Sequence, residues 1–234
     1  MQTWQYKLGL IVPSWNTVME YELQRMAGGV ASVHAMRIAH TADTEENLLG
    51  LATQANDAAR LLAHAKVDAI CYGCTASGFL KGPQQDRGIA AAIEAATGIP
   101  AATTSGCVVD ALAALGATRV SVATAYEPWL NERVRAYLQA AGFTVLEILG
   151  FGTQAHAAIA PERVAALAAQ ADRPGAQAVF VSCSNLRTLE VIEPLERSLG
   201  KPVVTSNQAS MWKMLRLVGD RRAVAGAGRL LREA

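Results

Sequence analysis

Two cysteines three residues apart, in the stretch Cys71-Tyr72-Gly73-Cys74-Thr75-Ala76-Ser77-Gly78, open three chemical readings. The spacing suits half of a zinc site, a redox dithiol, or one working thiol beside a packed one. A zinc site needs a second half. No further Cys-x-x-Cys or His-x₃₋₅-His follows, and His34, His40, His64 and His156 fall in unrelated places. A thioredoxin-like dithiol opens a helix after the first strand of its unit. Here the pair follows a later apolar run and leads into TASGFLKG, which reads as a loop. Cys71 sits inside the apolar run VDAICYG, where a small buried hydrophobe is expected, and Cys74 stands just past its end.

The third reading pairs Cys74 with a distant thiol. Cys183 also closes an apolar run, AQAVFVSCS. A thiol of ordinary pKa, about 8.5, moves toward neutrality beside N–H donors. Two such thiols on opposite faces of a planar intermediate can remove a proton from one side and deliver one from the other. That chemistry needs donors for a carboxylate and for an enolate-like intermediate. Ser14, Asn16 and Thr17 follow the first strand-like run, and Thr75 and Ser77 flank Cys74. Tyr126 follows a later run, and Ser184 and Asn185 flank Cys183. Thr205, Ser206 and Asn207 close the last run. Each alone is also a turn or N-cap residue. Cys107, at a helix start, reads as a packed residue.

Strand-length apolar runs alternate with helix-period segments along the whole chain. Strands are expected at 7–14, 32–39, 67–73, 99–105, 119–126, 144–151, 176–184 and 201–207. Helices are expected at 17–27, 44–65 (with Thr44 as N-cap), 86–98, 108–116, 127–142, 161–171, 189–200 and 209–219. Short links between them argue an α/β fold with parallel sheets. The order also repeats. TGIPAATTSGCVVDALAALG parallels LGKPVVTSNQASMWKMLRLVG, and a strand ending at a cysteine precedes each. Two similar lobes are expected, residues 1–115 and 116–234, the second ending in a tail that packs back on the first. Ligands of open parallel sheets bind beyond the carboxyl ends of the strands. The two thiols then converge on one cleft, whose size depends on residues such as Trp15, Phe79 and Phe151.

Net charge is +1 and no Lys/Arg-rich run carries interleaved aromatics, which argues against nucleic acid and anionic membrane as partners. No stretch of 18 uncharged apolar residues suits a membrane span. The first residues lack a signal-peptide pattern, and four cysteines do not form a disulfide framework. A cytoplasmic protein with reduced thiols is expected. Gly-x-Gly-x-x-Gly, Walker and Gly-x-Ser-x-Gly motifs are missing.

The segments GLIVPSWNTVMEYE, CYGCTASGFLKG, RVSVATAYEPWLNERVRAYLQAAGF, VSCSNLRTLEVIEPLERSLGKPVVTSNQ and VAGAGRLLR resemble the aspartate/glutamate racemase superfamily. More narrowly they resemble its maleate cis-trans isomerase and arylmalonate decarboxylase branch, over nearly the whole chain. The resemblance implies two Rossmann-like (flavodoxin-type) lobes related by a pseudo-two-fold axis, with the active site between them. It also implies a homo-oligomer, a small carboxylate or dicarboxylate substrate, and chemistry with no metal or organic cofactor. Cys74 and Cys183 match the two catalytic cysteines of maleate isomerases, and Pro13-Ser14-Trp15-Asn16-Thr17 matches a loop of theirs. Tyr126 matches a carboxylate-binding tyrosine. The decarboxylase has only the second cysteine. The expectation is therefore a two-cysteine isomerase or racemase, with Ser14, Asn16, Thr75, Tyr126, Ser184 and Asn185 binding substrate. The alternatives are a malonate decarboxylase using Cys183 as proton donor, and a two-lobed small-molecule binding protein.

Overall fold

Strands that read as continuous apolar runs are buried on both faces, the mark of parallel sheets covered by helices. The computed structural model, which describes residues 4–234, shows two such sheets. The first contains β1 (Tyr6–Pro13), β2 (Ala31–Ile38), β3 (Ala69–Tyr72) and β4 (Ala101–Thr103) in the order β2-β1-β3-β4. The second contains β5 (Arg119–Thr124), β6 (Thr144–Gly150), β7 (Ala178–Ser182) and β8 (Val203–Thr205) in the order β6-β5-β7-β8. All pairings are parallel, and the second order repeats the first. Every residue of β3 and β7 is buried. The duplication seen in the sequence is thus a duplication of topology.

Helices α1 (Met19–Ala27), α2 (Glu45–His64), α3 (Thr75–Phe79), α4 (Gly82–Thr97) and α5 (Thr104–Ala114) belong to the first half. Helices α6 (Pro128–Ala140), α7 (Pro161–Ala171), α8 (Ile192–Leu199), α9 (Ser206–Leu217) and α10 (Gly228–Glu233) follow. Thr44 caps α2 as expected, its hydroxyl accepting from the Asn47 N–H. Thr103 and Thr205 each end a short strand and cap the next helix, Thr205 in a full capping box with Gln208. Those caps explain why β4 and β8 stop two residues before the expected strand ends at 105 and 207. The TASGF segment, expected as a loop, is the helical turn α3.

The equivalent helices α5 and α9 pack on each other and join the halves. Thr104 Oγ1 lies 3.0 Å from Ser210 Oγ, and Lys213 Nζ lies 2.6 Å from an Asp110 oxygen. The segment after α9 runs past the start of the chain, where Arg222 donates to Gln5 Oε1 at 2.7 Å. Helix α10 then packs on α8, α9 and β8. Among the described residues, no helix is long and apolar enough to cross a membrane.

Candidate active site

Register places the functional loops on one side. The β1–β3 pairing runs from Leu8↔Ala69 to Ile11↔Tyr72, so the Pro13–Asn16 loop and Cys74 emerge together. The β5–β7 pairing runs from Val120↔Ala178 to Thr124↔Ser182, so Tyr126 and Cys183 do the same. The carboxyl-end loops of β1, β2, β3, β5, β6 and β7 close around one narrow cavity. They supply Trp15 and Asn16, His40 and Asp43, Cys74 to Ala76, Tyr126, His156, and Cys183 to Asn185 respectively. Each half of the molecule therefore contributes one thiol to the same space.

The backbone at Cys183 is strained. Its φ is +131°, a region that residues with a Cβ rarely occupy. Its N–H donates to Ser206 Oγ at 3.2 Å, and the Asn185 N–H donates to its Sγ at 3.4 Å. His156 Nδ1 stands 3.4 Å from the same sulfur. Burial pushes the Cys183 thiol up to about 12, with the Asp43 carboxylate adding to the shift. The Asn185 and Leu186 N–H groups and the Tyr126 hydroxyl act in the opposite direction. Burial also raises Cys74, against the N–H groups of Ser77 and Ala76 that face its sulfur. The Asp43 carboxylate and the Cys183 sulfur add to that rise.

The polar residues divide by what their hydrogen bonds leave free. Asn16 Oδ1 accepts from the Val18 and Met19 N–H groups at 3.0 and 2.9 Å, fixing the amide. Its Nδ2 donates to Ser184 Oγ, which in turn donates to Gly73 O, both at 3.1 Å. Ser184 thus bridges the halves and has no proton left to offer. Asn185 Oδ1 accepts from Thr17 N at 3.0 Å, leaving its Nδ2 unused. Thr75 Oγ1 is buried without a partner in the cavity wall. Tyr126 is buried, with Ser182 Oγ 3.4 Å from its hydroxyl. Ser14 is exposed and outside the lining; its hydroxyl pairs with the backbone N–H and C=O of His40, each at 3.1 Å. Of the expected size-setting aromatics, Trp15 lines the cavity. Phe79 packs on Tyr137 and Phe180, and Phe151 under Arg163.

Three titratable lining residues, His40, Asp43 and His156, have no site role in the sequence reading; the structure joins the two histidines, unrelated in sequence, through Asp43. The Asp43 carboxylate lies between two imidazoles, 2.9 Å from His40 Nε2 and 3.6 Å from His156 Nε2. Trp15 meets both rings edge-on, with centroids 5.0 and 5.5 Å away. Burial lowers His156, partly offset by Asp43. The signal for these residues was their position just past β2 and β6, at the edge where the cysteines were found. Cys71 is fully buried in β3, its sulfur 3.7 Å from Thr104 Oγ1, and Cys107 is buried in α5. Among the described residues, no group of three or more His, Cys, Asp or Glu has metal-holding geometry.

A duplicated α/β fold with a thiol from each half at one cavity is that of the aspartate/glutamate racemase superfamily. Within it, the profile of the arylmalonate decarboxylase family matches residues 8–231, and the chain belongs to that family. The chain is 32% identical to the maleate isomerase of Nocardia farcinica over 97% of its length and 96% of that protein. It is 35% identical to the arylmalonate decarboxylase of Bordetella bronchiseptica over 76% of its length and 77% of that protein. Among solved structures, a cysteine-to-serine mutant of the Nocardia farcinica maleate cis-trans isomerase superposes with a TM-score of 0.94 at 28% identity. That match covers 98% of this chain and 99% of the other, which carries a covalently bound succinylcysteine intermediate.

Proposed function

We propose that the chain is a two-cysteine cis-trans isomerase of a small unsaturated dicarboxylate, with maleate to fumarate as the leading reaction. One thiolate adds to a carbon of the double bond, and the other thiol protonates the neighbouring carbon. A C–S and a C–H bond replace the π bond, rotation follows about the resulting single bond, and both steps then reverse. Every proton and electron pair returns to its origin, so side chains of this chain suffice. The observation that carries the reading is the placement of Cys74 and Cys183, one from each half, in the wall of a single cavity. The unpartnered Thr75 hydroxyl, the Asn185 and Asn16 amide nitrogens and the Tyr126 hydroxyl are the donors for substrate carboxylates.

The test is conversion of maleate to fumarate followed by proton NMR. Cys74→Ala and Cys183→Ala should each reduce turnover by about 10³-fold or more. Full activity in either variant sinks the reading. The family match and the 35% identical relative favour a second reading, decarboxylation of a disubstituted malonate with Cys183 as proton donor. Carbon dioxide release that survives Cys74→Ala and disappears in Cys183→Ala would select it.

A further inference from the structure

Burial and the Asp43 carboxylate both oppose ionisation of the Cys183 thiol. Cys183 therefore needs a proton acceptor in contact with its sulfur. The Asn185 N–H and the Tyr126 hydroxyl are donors toward it. The group that can accept is the His156 imidazole, with Nδ1 at 3.4 Å. Its other nitrogen faces Asp43 Oδ2 at 3.6 Å, which favours the tautomer with hydrogen on Nε2 and the Nδ1 lone pair toward sulfur. Asp43 is itself fixed by His40 at 2.9 Å and by its N–H, which donates to Gln154 Oε1 at 2.9 Å.

We propose that His156 exchanges a proton with Cys183, and that Asp43 positions His156 for that exchange. The proposal rests on the two-thiol reading and adds to it a base that reading does not contain. The S–H bond of Cys183 breaks as an N–H bond forms on Nδ1, giving an imidazolium–thiolate pair beside the Asp43 carboxylate. The proton returns to sulfur when the cycle closes. The pair holds one mobile proton, so Cys183 is a thiolate or a thiol as the step requires. Cys74, the other cavity thiol, has no imidazole hydrogen-bonded to its sulfur. The titratable groups facing His156 are Cys183, Asp43 and Tyr126, with the Trp15 ring and the Thr153 backbone also against it; Cys74 shares the cavity, His40 reaches it through Asp43, and Glu127 lines the adjoining space.

Two readouts test this, one independent of substrate. The first is thiolate absorbance near 240 nm, measured against pH in Cys74→Ala protein, with the Cys74→Ala/Cys183→Ala double variant as background. Cys183 thiolate is expected to appear at lower pH in the Cys74→Ala protein than after His156→Asn is added. The second is turnover of maleate. His156→Asn should lower kcat by about 100-fold or more with KM little changed, and its rate should climb about tenfold per pH unit toward alkaline thiol ionisation. Asp43→Asn, which keeps the imidazole, should weaken both signals in the same direction. It carries the test if His156→Asn fails to fold. An unchanged absorbance titration and an unchanged kcat–pH profile in these variants, with Cys183→Ala inactive, overturn the relay. Activity in Cys183→Ala instead removes the two-thiol reading beneath it.

Discussion

Cys183 is the residue at which local preference and native structure disagree. A positive φ at a residue with a Cβ costs on the order of 1–3 kcal/mol and persists only where surrounding contacts fix it. Here the Ser206 hydroxyl holds the N–H, while the following Asn185 N–H turns back onto the sulfur. Glycine accepts such a φ without the steric penalty. Cys183→Gly should therefore be more stable than Cys183→Ala by about 1 kcal/mol, as read from urea unfolding. Equal stability, or a more stable alanine variant, would show that the backbone at 183 is not strained. The same turn explains why Ser184 and Asn185, although beside the thiol in sequence, face the Pro13–Thr17 loop of the other half with part of their hydrogen-bonding capacity.

At the scale of elements, the thiol loops depend on close contacts that alternation of strands and helices does not reveal. Helix α3, which starts at the residue after Cys74, lies directly on α5. A Cβ on Gly78 would overlap Ser105 Oγ and stand 2.6 Å from Asp86 Oδ1. Both atoms belong to a buried hydrogen bond, so neither can give way cheaply. Gly78→Ala is expected to destabilise the fold by about 1–3 kcal/mol and to lower turnover by displacing the Cys74 turn. Thermal unfolding and maleate turnover measured together check this, and wild-type values of both would remove α3 from the architecture of the site. The sequence placed the end of β3 within one residue, at Gly73 against Tyr72, but read this turn as a loop. Its apolar spacing is too short for a helical period to register.

At the scale of the whole molecule, two buried carboxylates tie elements from the two halves together. Glu22 of α1 accepts from Thr188 N, Leu189 N, Thr188 Oγ1 and Asn207 Nδ2, at 2.6, 2.8, 3.0 and 2.7 Å. Asp86 of α4 accepts from Thr103, Ser105 and Tyr137 hydroxyls, each at 2.7 Å. Removing an acceptor strands several buried donors, so Glu22→Ala should cost about 3–5 kcal/mol in denaturant unfolding. Burial raises Glu22 above its ordinary 4.5, so over that window the folded protein holds a proton that the unfolded chain has released. This contribution is fully present below 4.5 and is lost as pH rises through the folded value. The stability of the wild type relative to Glu22→Gln should accordingly fall as pH rises above 4.5, as measured by urea midpoints; a flat or rising difference contradicts it.

The strands, the order of the helices, the repeat and the two strand-end cysteines were legible in the sequence because each is a local pattern. Burial on both faces writes a strand as an apolar run, capping writes a helix start as Thr44, and a duplicated fold writes its plan twice. The partnership of Cys183 with His156 and Asp43 was not legible. These residues lie on the loops after β7, β6 and β2, and no spacing along the chain encodes their contact. Nor did the sequence separate Ser14, spent on the His40 backbone, from Thr75, left unpartnered in the cavity wall. Hydrogen-bond accounting of that kind is settled only when the carboxyl-end loops of the two sheets meet around one cavity. There the same residue types become caps, bridges or free donors according to what meets them.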